Sequence, residues 1–351
     1  MKKPLKDKSH LLIKTNSIMY KVGIIGTGAI FPRHIEAIET HEDFKLVSVC
    51  DIQPTIVKNL SKQYGVSGYV DYKKMIKDED LNFIAILTPN ALHKEQAIYS
   101  LENGCDVLIE KPVSFKLKDI HEIKKIAKKN NRKAYSVLQV RLNPTVKIVK
   151  EVLDKNLLGT IRGFSFIQRW QRPLEYFSGW RGIPSIGGGI LYETGIHYLD
   201  ILQHLLGKPK DILHSKVYTT KHRNSLIEDT VYSLIDYGDF GGTIESTIAA
   251  EPKNLESSIS ILGSNGYIKI GGKALNIIES ANFLSNGAQK EYNNIVKYNP
   301  YSREPNSYGS YSGSCPNHPD VYKNLSLFNI EETENVIEMI EVIYKKCGIV
   351  Y

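Results

Sequence analysis

YKVGIIGTGAIFPRHIEAIETHEDFKLVSVCD, residues 20–51, decides the fold. YKVGIIG (20–26) is a short apolar strand that runs into a glycine turn, GTGAIF. PRHIEAIETH has helical period, and Pro32 suits a first helical turn, where the missing N–H costs nothing. FKLVSVCD (44–51) is a second strand ending in Asp51, 23 residues after Gly28. Strand, glycine turn, helix, strand and terminal acid form one unit of a parallel sheet.

That unit is the fingerprint of a Rossmann dinucleotide-binding fold. Gly26 makes the tight turn. Gly28, with Ala29 and Ile30 beside it, lets the backbone approach a pyrophosphate at a helix N-terminus. Asp51 would accept hydrogen bonds from the adenosine ribose and repel a 2′-phosphate. Ile52, Gln53 and Pro54 supply no arginine to hold such a phosphate, so NAD is expected rather than NADP. One departure is Phe31, at the position where a third small residue normally lets helix and strand pack closely.

Outward from this unit the alternation continues. The pattern predicts strands over 82–88, 105–110 and 133–140, with helices over 91–104 and about 117–130. Repeated βα order implies a doubly wound parallel sheet, and ligands bind beyond its carboxyl ends. Thr88, Pro89 and Asn90, with His93 just after, leave one such end. Glu110, Lys111 and Pro112 leave another, and Gln139 a third. These join Gly26, Gly28, Ala29, Ile30 and Asp51 as expected cofactor contacts. The Lys111–Pro112 bond is a candidate for the cis form.

Composition narrows the class. With 42% hydrophobic and 24% charged residues, 351 residues make a folded chain of two domains. The formal charge is +7, but residues 1–19 hold five lysines and one aspartate, which leaves +3 for the body. That is too dispersed for a nucleic-acid surface. No apolar run reaches the roughly 18 residues of a membrane span, and the basic start lacks a signal-peptide core. Four cysteines without CxxC spacing point to a reduced cytoplasmic protein without structural zinc. Residues 1–18 are read as a disordered basic extension, with Met19 as an alternative start. Residues 19–142 are the NAD-binding Rossmann domain and 143–351 an α+β substrate and oligomerisation domain.

In the second domain a helix over about 145–155 precedes a strand whose Phe164, Phe166, Gln168 and Trp170 share one face. Strands recur near 212–220, 229–236, 242–250, 257–262 and 267–271, with a hairpin turn at 264–266. They form a mostly antiparallel, open-faced sheet. Residues 273–316 read as irregular, and a final helix is expected at about 331–346. Between these lies GGGILYETGIHYLD (187–200), on a helix expected over about 190–206. Its spacing places Glu193 and His197 on one helical face. Such a pair is an acid/base couple, half a metal site or a polar face. Glu193 and His204 would stand about 16 Å apart along the axis, too far to share an ion. No metal is expected.

GTGAIFPRH, TPNALH, GCDVLIEKP and GGGILYETGIHYLD together resemble the Gfo/Idh/MocA family of NAD(P)-dependent sugar and polyol dehydrogenases, from about residue 20 to the C-terminus. The resemblance implies that Lys111 reaches the reacting hydroxyl and that His197 is the acid/base. Glu193 stands where the family has Asp or Asn, beside that histidine. VLQVRLNPT and WQRPLEYFSGWRG are similar to the branch oxidising UDP-N-acetylglucosaminuronate at C3 for surface polysaccharides. The substrate contacts expected on this basis are Lys111, Arg141, Arg172, Trp180, Arg181, Glu193, His197 and His318. Arg169 adds positive charge for a diphosphate or carboxylate; Trp170 and Tyr176 add stacking surface. His318 is otherwise a lone surface histidine. The resemblance also implies a homodimer or homotetramer through the C-terminal sheet. Two alternatives stay open: a free-sugar or inositol dehydrogenase, and a non-catalytic NAD-bound sensor or scaffold.

Overall fold

The computed structural model describes residues 19–301, 307–308, 311–312 and 317–351. The expected extension over 1–18, Cys315 and part of the 273–316 segment lie outside the described residues.

The first sheet is six-stranded and wholly parallel, in the order β3-β2-β1-β4-β5-β6. Its strands are β1 (Tyr20–Ile25), β2 (Phe44–Cys50), β3 (Ser67–Tyr69), β4 (Phe83–Ile86), β5 (Asp106–Ile109) and β6 (Ala134–Ser136). Four consecutive buried residues in β4 show helices covering both faces. Those helices are α1 (Phe31–Thr40), α2 (Pro54–Tyr64), α3 (Tyr72–Asp78), α4 (His93–Glu102) and α5 (Leu117–Lys129). Phe31 does not keep α1 off the sheet. Its ring is buried and meets Tyr64 of α2 edge-on at 6.0 Å.

Two boundaries differ from expectation. The strand expected over 133–140 stops at Ser136, and Gln139–Leu142 is a 3₁₀ turn. Val137 N–H bonds to the Ile109 carbonyl, after which β5 gives way to the Glu110–Pro112 loop and offers no further edge. The helix expected from 91 begins with a 3₁₀ turn, Asn90–Leu92, before α4.

The second sheet has seven strands in the order β13-β12-β11-β7-β10-β9-β8. They are β7 (Ile161–Arg169), β8 (Asp211–Tyr218), β9 (Thr230–Asp236), β10 (Gly241–Thr247), β11 (Glu256–Gly263), β12 (Gly266–Gly271) and β13 (Ile277–Phe283). Only β7 and β10 pair in parallel. Phe164, Phe166 and Gln168 of β7 are buried, and Phe166 stacks on Tyr198 at 5.8 Å. Tyr198 belongs to α8 (Ile196–Leu206), which follows a one-turn helix, α7 (Pro184–Gly187). α6 (Pro144–Asp154) and α11 (Glu334–Lys346) contribute buried faces to the same core. The 273–316 segment is not irregular throughout: it contains β13 and α9 (Asn286–Tyr298). Ser285 caps α9, its hydroxyl accepting the Ala288 N–H at 3.1 Å. A last short helix, α10 (His318–Lys323), returns to the first domain, where its Tyr322 packs edge-on against Phe44 of β2. No helix among the described residues is long and apolar enough to cross a membrane.

Candidate active site

The glycine loop leaves β1 with Gly26 at φ 92°, and a Cβ there would stand 2.8 Å from the Leu87 backbone. Asp51, at the end of β2, accepts Thr27 N–H at 2.9 Å and Thr27 Oγ1–H at 2.8 Å, closing the loop onto the acid. Its other oxygen accepts Gln53 N–H at 3.0 Å. Each carboxylate oxygen carries two lone pairs, so capacity for a ribose remains. A Cβ on Gly28 would meet nothing within 4 Å. That space, together with two buried polar atoms that lack a partner, Gln139 Oε1 and His197 Nδ1, fits a bound dinucleotide.

Lys111 Nζ donates to the Glu193 carbonyl at 2.6 Å, joining the carboxyl end of the first sheet to the GGG segment. The Lys111–Pro112 bond is cis. The segment is not one continuous α-helix. Leu191–Gly195 is a π-helical turn, and α8 follows from Ile196. Gly189 is required by packing, since a Cβ there would stand 2.1 Å from Tyr344 Oη and 2.3 Å from Glu228 Oε1. Those two groups cap the turn. Glu228 accepts Ile190 N–H and Tyr344 Oη accepts Leu191 N–H, both at 2.9 Å.

His197 is partly buried, and its pKa is pushed down to about 3, first by burial and then by the Lys111 charge. Its imidazole is therefore neutral at neutral pH, and the two groups lie within electrostatic reach. Glu193 behaves differently from expectation. Its buried carboxylate accepts from Asn90 Nδ2 at 3.0 Å, Arg181 Nε at 3.1 Å and Tyr176 Oη at 3.3 Å, with no hydrogen bond to His197 among the described residues.

Around Tyr176 the guanidinium groups of Arg172 and Arg181 lie 5.6 and 5.4 Å from the ring centroid. Arg172 also covers Trp170 at 4.7 Å and Arg181 covers Trp180 at 4.4 Å. Two other arginines, also expected to meet substrate, are held by carboxylates within the protein. Arg141 grips buried Asp200 in forked fashion at 2.6 and 2.8 Å and reaches Glu332 at 2.7 Å. Arg169 lies on the outer sheet face, bidentate to Glu245 and bonded to Glu256. Asp200 is thus structural.

Several residues expected to contact the cofactor have side chains bonded within the protein. His93 is fully buried, with its ring nitrogens 2.8 Å from the Thr88 and Pro112 carbonyls. Thr88 Oγ1 donates to Gln96, and Asn90 links Gly187 O to Glu193. The Glu110 carboxylate faces inward to His34 and His318, at 3.1 and 3.2 Å. His318 is 2% exposed, which corrects its reading as a surface or substrate histidine. Sequence reasoning passed over His34, Glu228 and Tyr344. No spacing marks them, because their partners lie 76, 38 and 153 residues away.

Comparison with known proteins identifies the family. Residues 20–138 match the model of an oxidoreductase family with an NAD-binding Rossmann fold, and 146–269 match the GFO/IDH/MocA C-terminal domain. scyllo-Inositol 2-dehydrogenase (NADP(+)) IolU of Bacillus subtilis (strain 168) is 30% identical over 200 residues, 55% of this chain but only 60% of that enzyme's length. The WlbA dehydrogenase from Bordetella pertussis, crystallised with NADH and UDP-GlcNAcA, superposes with a TM-score of 0.83 at 26% identity, over 94% of this chain and 96% of that one. Its counterpart from Chromobacterium violaceum, with the same ligands, gives 0.81 at 27% identity over 95% of each chain. The chain belongs to the Gfo/Idh/MocA oxidoreductase family, and its first domain is the NAD-binding Rossmann domain of that family.

Proposed function

We propose that the protein is an NAD-dependent dehydrogenase that oxidises a secondary hydroxyl, at C3, of a UDP-activated amino sugar or its uronate, supplying surface-polysaccharide synthesis. The observation that carries the chemistry is the convergence of Lys111 on the Glu193 carbonyl, one turn before His197. NAD, when bound, supplies hydride acceptance. His197, neutral at working pH, takes the hydroxyl proton. Lys111 stabilises the negative charge developing on that oxygen. Glu193 holds Arg181 and Asn90 in place rather than orienting the imidazole.

For the substrate, the supports are the Arg172–Tyr176–Arg181–Trp180 cluster and likeness to two enzymes crystallised with UDP-GlcNAcA. Arginine stacked on an aromatic ring suits a diphosphate or carboxylate next to a sugar or base. A panel of UDP-sugars and free polyols, scored by NADH absorbance and product mass, tests the reading. Micromolar KM for a UDP-aminouronate is expected; turnover of free inositol alone would overturn it. That second reading draws on the inositol dehydrogenase relative and on the commitment of Arg141 and Arg169 to internal carboxylates. A sensor without turnover would show no reduction of NAD by any member of the panel. We also propose that the outer face of the second sheet packs against another copy of the chain.

A further inference from the structure

Beneath the lysine loop lies a buried cluster that the reaction scheme leaves unused: His34 of α1, Glu110 at the end of β5, and His318 and Tyr322 of α10. His34 is 0% exposed, His318 and Tyr322 2% and Glu110 7%. Glu110 Oε1 faces both His34 Nε2, at 3.1 Å, and His318 Nε2, at 3.2 Å. Oε2 accepts the backbone N–H of Lys111 at 3.0 Å. Tyr322 Oη lies 2.8 Å from His34 Nδ1.

We propose that Glu110 is the positioning residue of the active-site lysine, a buried carboxylate anchored by His34 and His318 that fixes where the Lys111 backbone leaves the sheet. The inference rests on the assignment of Lys111 to the reacting hydroxyl. One carboxylate faces three N–H groups, and each can donate only if both imidazoles carry their proton on Nε2. His34 Nδ1 is then the acceptor for the Tyr322 hydroxyl, so every bond has one donor and one acceptor. Burial lowers the His34 pKa and raises that of Tyr322, keeping both neutral. Burial opposes ionisation of Glu110, but the bonds from His318 and His34 outweigh it and hold its pKa well below the usual carboxylate range.

The anchors come from distant places. α1 starts just after the glycine loop, and α10 belongs to the segment that returns from the second domain. The His41 ring bonds the Pro319 carbonyl at 2.7 Å, fastening α10 to the end of α1 a second time. A single carboxylate thus ties together the cofactor loop's helix, the lysine and the C-terminal return. The same three side chains offer donor atoms within 4.8 Å of one another, a spacing that a metal ion would also accept. The three N–H groups on the Glu110 carboxylate and the Tyr322–His34 bond favour hydrogen bonds, with His318 Nδ1 alone left without a partner among the described residues of the cluster.

Glu110→Gln tests the proposal, because an amide offers one accepting oxygen where three N–H groups need two. Expected for E110Q is a fall in kcat on the order of 10- to 100-fold, as for a slightly misplaced catalytic group, with KM for NAD and sugar little changed. Glu110→Asp, which keeps the charge and both acceptors, should recover part of the loss. His34→Gln and His318→Gln should lower kcat in the same direction, and they carry the test if E110Q does not fold. Nitrogen-15 spectra of histidine-labelled wild type should show the His34 and His318 imidazoles protonated at Nε2, with signals that change in E110Q. Wild-type kcat in E110Q, parallel loss of kcat and NAD affinity, Nδ1–H tautomers, or a stoichiometric metal whose chelation abolishes activity would each overturn the proposal. If no sugar reduces NAD in the wild type, the proposed function fails, while the spectra still decide the cluster.

Discussion

Lys111, His197 and Arg141 were all expected to serve the reaction, and only their surroundings separate them. Lys111 stands at a strand end with its ammonium on the Glu193 carbonyl. Lys111→Met removes the charge but keeps most of the side-chain volume. It should lower kcat by about 10²–10³, the usual loss for one transition-state donor, with KM less affected. His197 should contribute no acidic limb to kcat/KM between about pH 8 and 5.5, since its pKa lies near 3 in the free protein. A pH–rate profile with a half-point near 6.5 that disappears in His197→Asn would contradict this. Arg141 is a different kind of residue. Its side chain is 11% exposed and that of its partner Asp200 is 2% exposed. Arg141→Met strands a buried carboxylate and should cost about 3–5 kcal/mol in urea unfolding while leaving turnover per folded molecule nearly intact. A large rise in sugar KM instead would restore it as a substrate contact.

At the scale of elements, the three glycines and the π-helical turn form one device. Gly189 admits Tyr344 and Glu228, and these groups cap the N–H groups that open the turn carrying Glu193. Gly189→Ala forces a methyl group into that contact. A destabilisation of about 1–3 kcal/mol is expected from overpacking, with a drop in kcat because the turn and its residues shift. Unchanged stability would mean that α11 yields easily. The sequence showed that glycines were needed here but not why. Glycine before an apolar run reads as backbone freedom, whereas Gly189 answers to α11, some 150 residues on. α2 and α9 were legible but were not read. PTIVKNLSKQYG has proline at its start and a left-handed glycine cap, and Ser285 stands before NGAQKEYNNIVKY. β6 shows the opposite case. KAYSVLQV has strand character throughout, yet pairing ends where its neighbour turns away.

For the whole molecule, one face of the second sheet shows Leu213, Tyr218, Tyr232, Leu234, Leu262 and Tyr267, each more than 40% exposed, around the Arg169–Glu245–Glu256 cluster. An apolar sheet face of this kind calls for a cover. Light scattering should give a mass that is a multiple of 39.7 kDa, and Leu234→Glu should lower it. A monomeric wild type would refute the proposed interface. Stability should also depend on pH. His34, His93 and His197 have folded pKa values below their unfolded value of about 6.5, so the unfolded chain binds protons more readily. Stability is complete above that value and declines as pH falls below it. Glu228, raised by burial, acts in the opposite sense. Urea midpoints that stay level from pH 7 to 5 would show that these imidazoles are not buried neutral.

Residues 20–51, the EKP loop and the GGG segment determined the parallel sheet, the cofactor domain, the family and the candidate lysine and histidine, because strand period, turn glycines and helix caps act over a few residues and leave local marks. Only the tertiary structure decided which charged groups are tied to carboxylates from distant segments. Arg141 and Arg169 look like Arg172 and Arg181 in the chain, but a carboxylate brought in from 59 or 76 positions away satisfies each of the first two. The same holds for Glu110 and His318, 208 residues apart and joined in the interior. A side chain's charge is written in its identity, whereas its partner and its access to water are set by packing between distant segments.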